Sequence, residues 1–583
     1  MYTDDKNAQI VLALLKKYCI KKIVISPGAT NIPIAGGVQI DPFFEVYSVI
    51  DERSAAYFAT GLAHESGEPV AISCTGATAS RNYLPALTEA YYRNIPIIAL
   101  TSQQSTNDYY NLRPQLINRT FSPIDAKRFS VHLPVVKDKE DEESCILSVN
   151  KALIWATKKG CGPVHINIFE SSRTFTTVNL PVIPPISYFQ THDLNSFDII
   201  SQLKEQLIGK RIGLLIGAHR KFTENENVAI ERFINAYDVA VFCDNTSNYH
   251  GKNKVLISIA SGIRKIHEKP DIVIDIGSVT AVYSAPALLT GAEFWRISED
   301  GEFHQRCGNL RNMFDCPEFV FFNALAEEQV KTSINEYYNV ITEKIGELFI
   351  PDLPFSNIFV SIQMAKKMPV CCSLHIGASE SLANMNFLEL KETIDSSANV
   401  GTLGIDGSIS TLVGQSMSNK NKLYFGQVGD LTFFYDMNAL GIRHISKNIR
   451  LMVVNNSCGV RFRVDPYVVN SFGDKAYDFI AAGGHNGSAE GWAKSMGFEY
   501  LTARTKEEFL ALIDDFCSPD IEKFNKPVLF EVFTTVKEEQ DGWSLIRDTN
   551  RPKQTTTKSD SLKGVIKRVL PEKAVNIIRN MKE

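Results

Sequence analysis

No two cysteines in the 583-residue sequence have the CxxC spacing of a zinc or redox motif; the 11 present are odd in number and scattered through mostly apolar segments. That pattern reads as small core residues of a reduced protein rather than disulfides or a metal cage. No run approaches the ~18 uninterrupted apolar residues that a bilayer span needs. The start, Met1-Tyr2-Thr3-Asp4-Asp5-Lys6, lacks the basic region, apolar run and small-residue cleavage site of a secretion signal, so the cytoplasm is the expected location. A charge excess is missing too. The balance of 61 Lys and Arg against 66 Asp and Glu, formally −5, gives no global attraction to nucleic acid, and no nucleic-acid partner is expected. With 44% hydrophobic residues, the chain is not disordered as a whole, and its length corresponds to three or more domains.

What the sequence does contain is a regular alternation of helix and strand. Short apolar runs at Lys22–Ser26, Phe44–Ile50, Pro69–Ser73, Ile95–Thr101 and Val164–Ile168 alternate with amphipathic stretches such as Ser54–His64. Buried strands between helices indicate parallel α/β sheets. A Pro-rich passage, Leu180–Ser187, separates this block from strand candidates at Ile212–Ile216, Val239–Phe242, Ile272–Ile276 and Glu293–Arg296. After Pro351–Pro354 come Ser373–Ile376, Leu423–Gln427, Ile449–Val454 and Val528–Phe533. The expectation is an α/β protein of three open parallel-sheet domains, residues 1–180, 188–348 and 355–545, with a tail at 549–583. No residue-by-residue repeat relates the first and third blocks.

Ligands of open parallel sheets gather beyond the carboxyl ends of the strands, which directs attention to the turns there. Gly429-Asp430-Leu431 follows one strand, and Asn455-Asn456-Ser457-Cys458-Gly459 follows the next, with Asn456 lying 26 residues after Asp430. In a β-α-β unit those turns are neighbours, and a carboxylate beside an amide oxygen suits Mg²⁺, which completes its shell from phosphate and water. Turn glycines let backbone N–H groups approach phosphate at a helix N-terminus. The plainer alternative is a strand-to-turn pair capped by Asp and Asn.

Gly-Asp followed some 25 residues later by Asn-Asn resembles the thiamine diphosphate motif. That resemblance implies that Asp430 and Asn456 give side-chain oxygens to Mg²⁺ and that Cys458 gives its backbone carbonyl. The stretches Ile50–Ala63 and Ala71–Tyr83 resemble the pyrimidine-binding domain of the same superfamily. Glu52 then matches its activating glutamate, which must be partly desolvated to hold a proton against the pyrimidine ring. The three domains become pyrimidine-binding, central and diphosphate-binding. Leu403, with Ile405 as second choice, matches the apolar support beneath the cofactor. Gly377-Ala378-Ser379 matches a diphosphate loop, with Gly429 and Leu431 as further contacts. The central domain resembles the one that binds FAD in acetolactate synthases, but no flavin signature accompanies it and FAD is not predicted.

Within the superfamily, Ser26–Pro33, Gly404–Thr411 and Gly429–Leu440 look most similar to the menaquinone-pathway synthases that join a 2-oxoglutarate-derived unit to isochorismate, with acetolactate synthases next. The substrate positions depart from that pattern. Thr30 and Val400 stand where those synthases carry arginine, a third arginine has no counterpart near Ala383, and Gly277–Tyr283 lacks the Arg and Lys of the matching loop. Arginine is favoured for bidentate carboxylate pairing, so a different substrate pair is expected. Arg461 replaces an apolar residue and is expected either to hold a carboxylate or phosphate of another acceptor, such as a sugar nucleotide, or to pair with solvent or an acidic side chain. His485, in the Gly-rich Gly483–Gly487, either closes over the site as a proton relay or is a plain loop histidine. Asn111 and Gln115 both lie where relatives place a glutamine that contacts the substrate.

The resemblance implies a Mg²⁺- and thiamine diphosphate-dependent enzyme that decarboxylates a 2-oxo acid and passes the acyl-anion unit to an acceptor. Simple decarboxylation, or an acetolactate-synthase-like condensation, is the alternative. A binding or regulatory relative without turnover is a further one. It also implies a homodimer or homotetramer with Glu52 of one copy meeting Asp430 of another. The formal charge divides into +6 for residues 551–583, nine basic against three acidic, and −11 for the rest. Leu562, Val565, Ile566, Val569 and Leu570 give that tail one apolar face. Such a basic amphipathic helix either docks on an anionic membrane surface or a partner protein, or packs on its own enzyme.

Overall fold

The computed structural model describes residues 1–551 apart from 67, 93–94, 105–110, 112–113, 119–122, 159–160, 300, 327–334 and 402; the basic tail from 552 onward lies outside the described residues. Three parallel sheets follow one another along the chain. The first contains β1 (Lys22–Ile25), β2 (Glu45–Ser48), β3 (Val70–Thr75), β4 (Ile97–Gln103), β5 (Phe129–His132) and β6 (Val164–Phe169). The middle sheet contains β7 (Ser187–Gln190), β8 (Arg211–Ile216), β9 (Asp238–Cys243), β10 (Lys254–Leu256), β11 (Ile272–Ile276), β12 (Glu293–Ile297) and β13 (Leu310–Asp315). The third contains β14 (Ser373–Ile376), β15 (Asp395–Ser397), β16 (Tyr424–Gly429), β17 (Ile449–Asn455), β18 (Glu499–Ala503) and β19 (Val528–Phe533). All pairings between these strands are parallel. Among the described residues no helix is long and apolar enough to cross a membrane.

The first sheet runs β2-β1-β3-β4-β6-β5 and the third β15-β14-β16-β17-β19-β18. Numbered from its own first strand, each reads 2-1-3-4-6-5, so the two outer domains share one topology that no residue-level repeat betrays. The middle sheet runs β10-β9-β8-β11-β12-β13-β7. Central strands are buried along their whole length, as β4 and β17 show, and this is why they stand out as continuous apolar runs. Six strands have no such signal: β5, β7, β10, β13, β15 and β18. Five of these are sheet edges, covered on one side only, and β15 is just Asp-Ser-Ser. Seven of the 11 cysteines are buried and all are free, as small core residues.

The middle domain docks on the third through buried polar contacts. Asn245 Nδ2 donates to Met385 O at 2.6 Å and to Leu388 O at 2.9 Å, while Ser396 N–H donates to Asn248 Oδ1 at 2.7 Å. Arg264 Nη1 donates to Asn550 O at 2.6 Å, tying the middle domain to the last helix, Val536–Asn550.

His375 on β14 is 1% exposed, and burial holds its imidazole down at about 4 against an ordinary 6.5; Nδ1 meets Ser397 Oγ at 2.9 Å. The folded state keeps this ring neutral while the unfolded chain protonates it below about 6.5. Its full contribution is therefore present above pH 6.5 and is lost as pH falls toward 4, by up to about 3 kcal/mol. His375→Gln should flatten that part of the acid limb in denaturation midpoints measured from pH 7 to pH 4; an unchanged limb would contradict the assignment.

Candidate active site

β16 and β17 are adjacent, with Gly429 opposite Val454, so the turns that follow them emerge side by side. Asp430 opens the helix Asp430–Asp436 and Asn456 follows β17; both are buried. Leu431 N–H donates to Asp430 Oδ1 at 2.8 Å, and His485 Nε2 donates to Oδ2 at 3.0 Å. Burial raises the Asp430 carboxyl above its ordinary range, against the pull of Leu431 N–H, His485 and Ser457 N–H. Gly487 N–H donates to His485 Nδ1 at 3.3 Å, which leaves the proton on Nε2, and Phe434 packs edge-on against the ring. His485 therefore reaches the buried carboxylate rather than standing free in its loop.

Cys458 is buried, and its thiol is pushed up to about 12 by desolvation, which makes it unreactive. Its carbonyl accepts from Val460 N–H at 2.9 Å. Behind Asn456 stands Glu539, which nothing but its place in an acidic first turn marks in the sequence. Its carboxyl accepts from Asn357 N–H at 2.9 Å, from the Thr534 hydroxyl at 2.6 Å and from the Asn456 side chain. Burial pushes it up to about 8.

Three loops close the same edge of the sheet with non-glycine residues in the left-handed region. Ser379 (φ 70°) follows β14, Leu403 (φ 53°) follows β15 and Ser457 (φ 61°) follows β17. Such conformations cost on the order of 1 kcal/mol or more each and gather at ligand-holding turns. Leu403 and Ile405 are half-buried in their loop. Gly377 is pressed against β16: a Cβ there would lie 3.1 Å from Val428 Cα.

On the first sheet, Glu52 is the half-buried first residue of the helix Glu52–Ser66, just beyond β2. Thr30 is buried and its hydroxyl is satisfied within the protein, donating to Ser102 O at 2.7 Å and meeting Thr75 Oγ1. Gln115 lines the same small cavity as Thr30, whereas Asn111 is exposed and outside that lining.

Residues 5–126 match the family described as thiamine pyrophosphate enzyme, N-terminal TPP binding domain. The chain is 31% identical over 551 residues to a 2-succinyl-5-enolpyruvyl-6-hydroxy-3-cyclohexene-1-carboxylate synthase of Bacteroides thetaiotaomicron, covering 92% of this chain and 97% of the relative. It is 30% identical over 555 residues to the enzyme of the same name from Bacteroides fragilis, with the same coverage. With that of Flavobacterium johnsoniae the figure is 29% over 488 residues, 80% of this chain and 86% of the relative. The chain belongs to the thiamine diphosphate enzyme family.

In this thiamine diphosphate enzyme, Ala281–Tyr283 of the middle domain, Ala383 and Arg461 converge on one cavity of about 260 Å³. Arg461 Nη1 lies 3.6 Å from Glu380 Oε2, a long ion pair without a hydrogen bond, and 41% of its side chain is exposed. Val400 is buried in the hydrophobic core. A second cavity, of about 540 Å³, opens beyond β8, β11 and β12, where Arg296 and Arg306 flank the buried Asp275.

Glu539→Ala should leave the Asn357 N–H, the Thr534 hydroxyl and the Asn456 amide without their acceptor, at a cost of about 2–4 kcal/mol. Glu539→Gln keeps an acceptor in place and should cost about 1 kcal/mol. Thermal unfolding of the two variants checks this, and equal losses would show that the acceptor is not what matters.

Proposed function

We propose that the protein is a thiamine diphosphate- and Mg²⁺-dependent carboligase that decarboxylates a 2-oxo acid and transfers the acyl unit to an acceptor other than isochorismate. The observation that carries the reading is the buried pair of turns at Asp430 and Asn456. Among the described residues no three His, Cys, Asp or Glu side chains converge as a metal cage. A cation at Asp430 would therefore draw on the Asn456 amide, the Cys458 carbonyl, water and phosphate oxygens, a set suited to Mg²⁺. The desolvated Asp430 carboxylate gains most from such a neighbour.

Gly377, Gly429 and Leu431 would hold the diphosphate at the sheet edge, and Leu403, with Ile405 beside it, would support the bend between the rings. Glu52 would hydrogen-bond the pyrimidine ring nitrogen of the cofactor. Bound thiamine diphosphate supplies the electron sink for the pair released as carboxylate leaves as CO₂. The surrounding loops orient the substrate and exclude water. A second copy completes the site, Glu52 of one chain facing Asp430 of the other in a homodimer or homotetramer. Exposed apolar side chains beside both support this: Ile50 and Phe58 near Glu52, Tyr435 and Phe479 near Asp430 and His485.

The donor and acceptor differ from those of the related synthases on this reading, because Thr30, Val400 and Ala383 carry no charge and the Thr30 hydroxyl is already satisfied. The full-length likeness to the Bacteroides enzymes favours a second reading, the reaction in their name.

A panel of 2-oxo acids with thiamine diphosphate, Mg²⁺ and aldehyde, enone or keto-sugar acceptors tests the first reading, and should find a donor that releases CO₂. Glu52→Gln should lower that release at least about 100-fold while thiamine diphosphate still binds, and Asp430→Asn should abolish binding. Preferred turnover of 2-oxoglutarate with isochorismate would establish the second reading. No CO₂ from any donor would leave a binding relative without turnover. An active monomer by native mass would contradict the shared site.

A further inference from the structure

The cavity where Ala281–Tyr283, Ala383 and Arg461 meet has a fourth contributor, Arg547, from the last helix. At about 260 Å³ it has room for a phosphate or a short carboxylic acid. Both guanidinium groups are poorly paired. Arg461 makes a 3.6 Å contact to Glu380, beyond hydrogen-bond range, and Arg547 Nη2 reaches Ser544 Oγ only at 3.5 Å. Glu380, the acid behind Arg461, is 5% exposed and already accepts from Trp543 Nε1. Burial raises its carboxyl, so it offers at most one negative charge against two positive ones.

Two under-coordinated arginines facing one cavity form an anion site by charge and by geometry, since each planar fork presents parallel N–H donors to phosphate or carboxylate oxygens. The rest of the lining carries no further charge: it mixes Ser258, Ser284 and Asn386 with apolar residues, among which Phe387 and Trp543 pack edge to face at 5.1 Å. Arg461 lies five residues beyond Asn456, at the start of the short helix Arg461–Val464 that follows the turn after β17.

We propose that Arg461 and Arg547 clamp a single anionic group, phosphate or carboxylate, of the second substrate. This rests on the reading above that an acyl unit is passed to an acceptor. It names the acceptor's class: an anionic head on a body that packs against aromatic side chains. Positive charge thus enters from the turn after β17 and from the last helix, while the wall at Ala383 carries none.

The test uses the full-length protein with thiamine diphosphate and Mg²⁺ at saturation, so that the diphosphate site is filled. Inorganic phosphate and succinate are then titrated separately by calorimetry. Wild type should bind at least one of them, and Arg461→Ala and Arg547→Ala should each weaken that binding about tenfold or more. Arg461→Lys and Arg547→Lys, which keep the charge, should retain part of it, which separates a lost cation from a misfolded pocket. Phosphate binding alone would mark a phosphate-bearing acceptor, and succinate binding alone a carboxylate-bearing one. No binding of either, or binding unchanged in both Ala variants, overturns the clamp. Failure to saturate with thiamine diphosphate would instead sink the functional reading, and the arginine variants would still test the anion site.

Discussion

Burying the Asp430 carboxylate is the demand around which the third domain is arranged. A desolvated carboxyl without compensating donors costs several kcal/mol, and here the compensation is incomplete. Leu431 N–H, Ser457 N–H and the Nε2–H of His485 reach it, yet desolvation still dominates and its proton affinity stays raised. One turn away, Glu539 is buried as well and satisfies Asn456 from behind. Two buried acids thus stand at one sheet edge, with the His485 ring as the near neighbour of one. The left-handed backbone at Ser379, Leu403 and Ser457 belongs to the same sheet edge, where the loops turn sharply.

The parallel topology makes this possible. In an open sheet every loop of one edge follows a strand's carboxyl end, so residues that are distant in sequence meet without long excursions. The first and third domains repeat the order 2-1-3-4-6-5, and each places its own acid, Glu52 or Asp430, at the opening of a helix beyond that edge. A topology is preserved by the position of buried faces rather than by particular side chains. This is why the repeat is plain in the sheets and absent from the residues.

How legible each part was follows from range. Asp430 and Asn456 could be read because adjacent strands bring them together within one β-α-β unit, and the spacing alone places them. The central strands could be read because burial on both faces demands continuous apolar runs. The edge strands β5, β7, β10, β15 and β18 were hidden because a strand covered on one side need not be apolar. Glu539 and Arg547 were hidden for another reason. They sit on a helix with a charged, solvent-facing composition, and only its packing across Asn357 and Phe387 shows which charges point inward.

Specificity in such a site is set by where the charges enter, and here the balance can be followed wall by wall. Thr30 spends its hydroxyl on Thr75 and Ser102, Val400 is part of the core, and Ala383 offers only a methyl group. Those positions shape the pocket without charging it. The middle domain contributes Ala281–Tyr283, again without a cation, but holds the wall in place through Asn245 and Ser258, which hydrogen-bond the Met385–Leu388 backbone. Positive charge is left to the turn after β17 and to the last helix. Buried acids stand beside both, Glu380 3.6 Å behind Arg461 and Glu539 near the start of the last helix. On the proposed clamp, cations enter from two walls while Thr30, Val400 and Ala383 offer none, and such a distribution discriminates by the position of negative charge on the ligand.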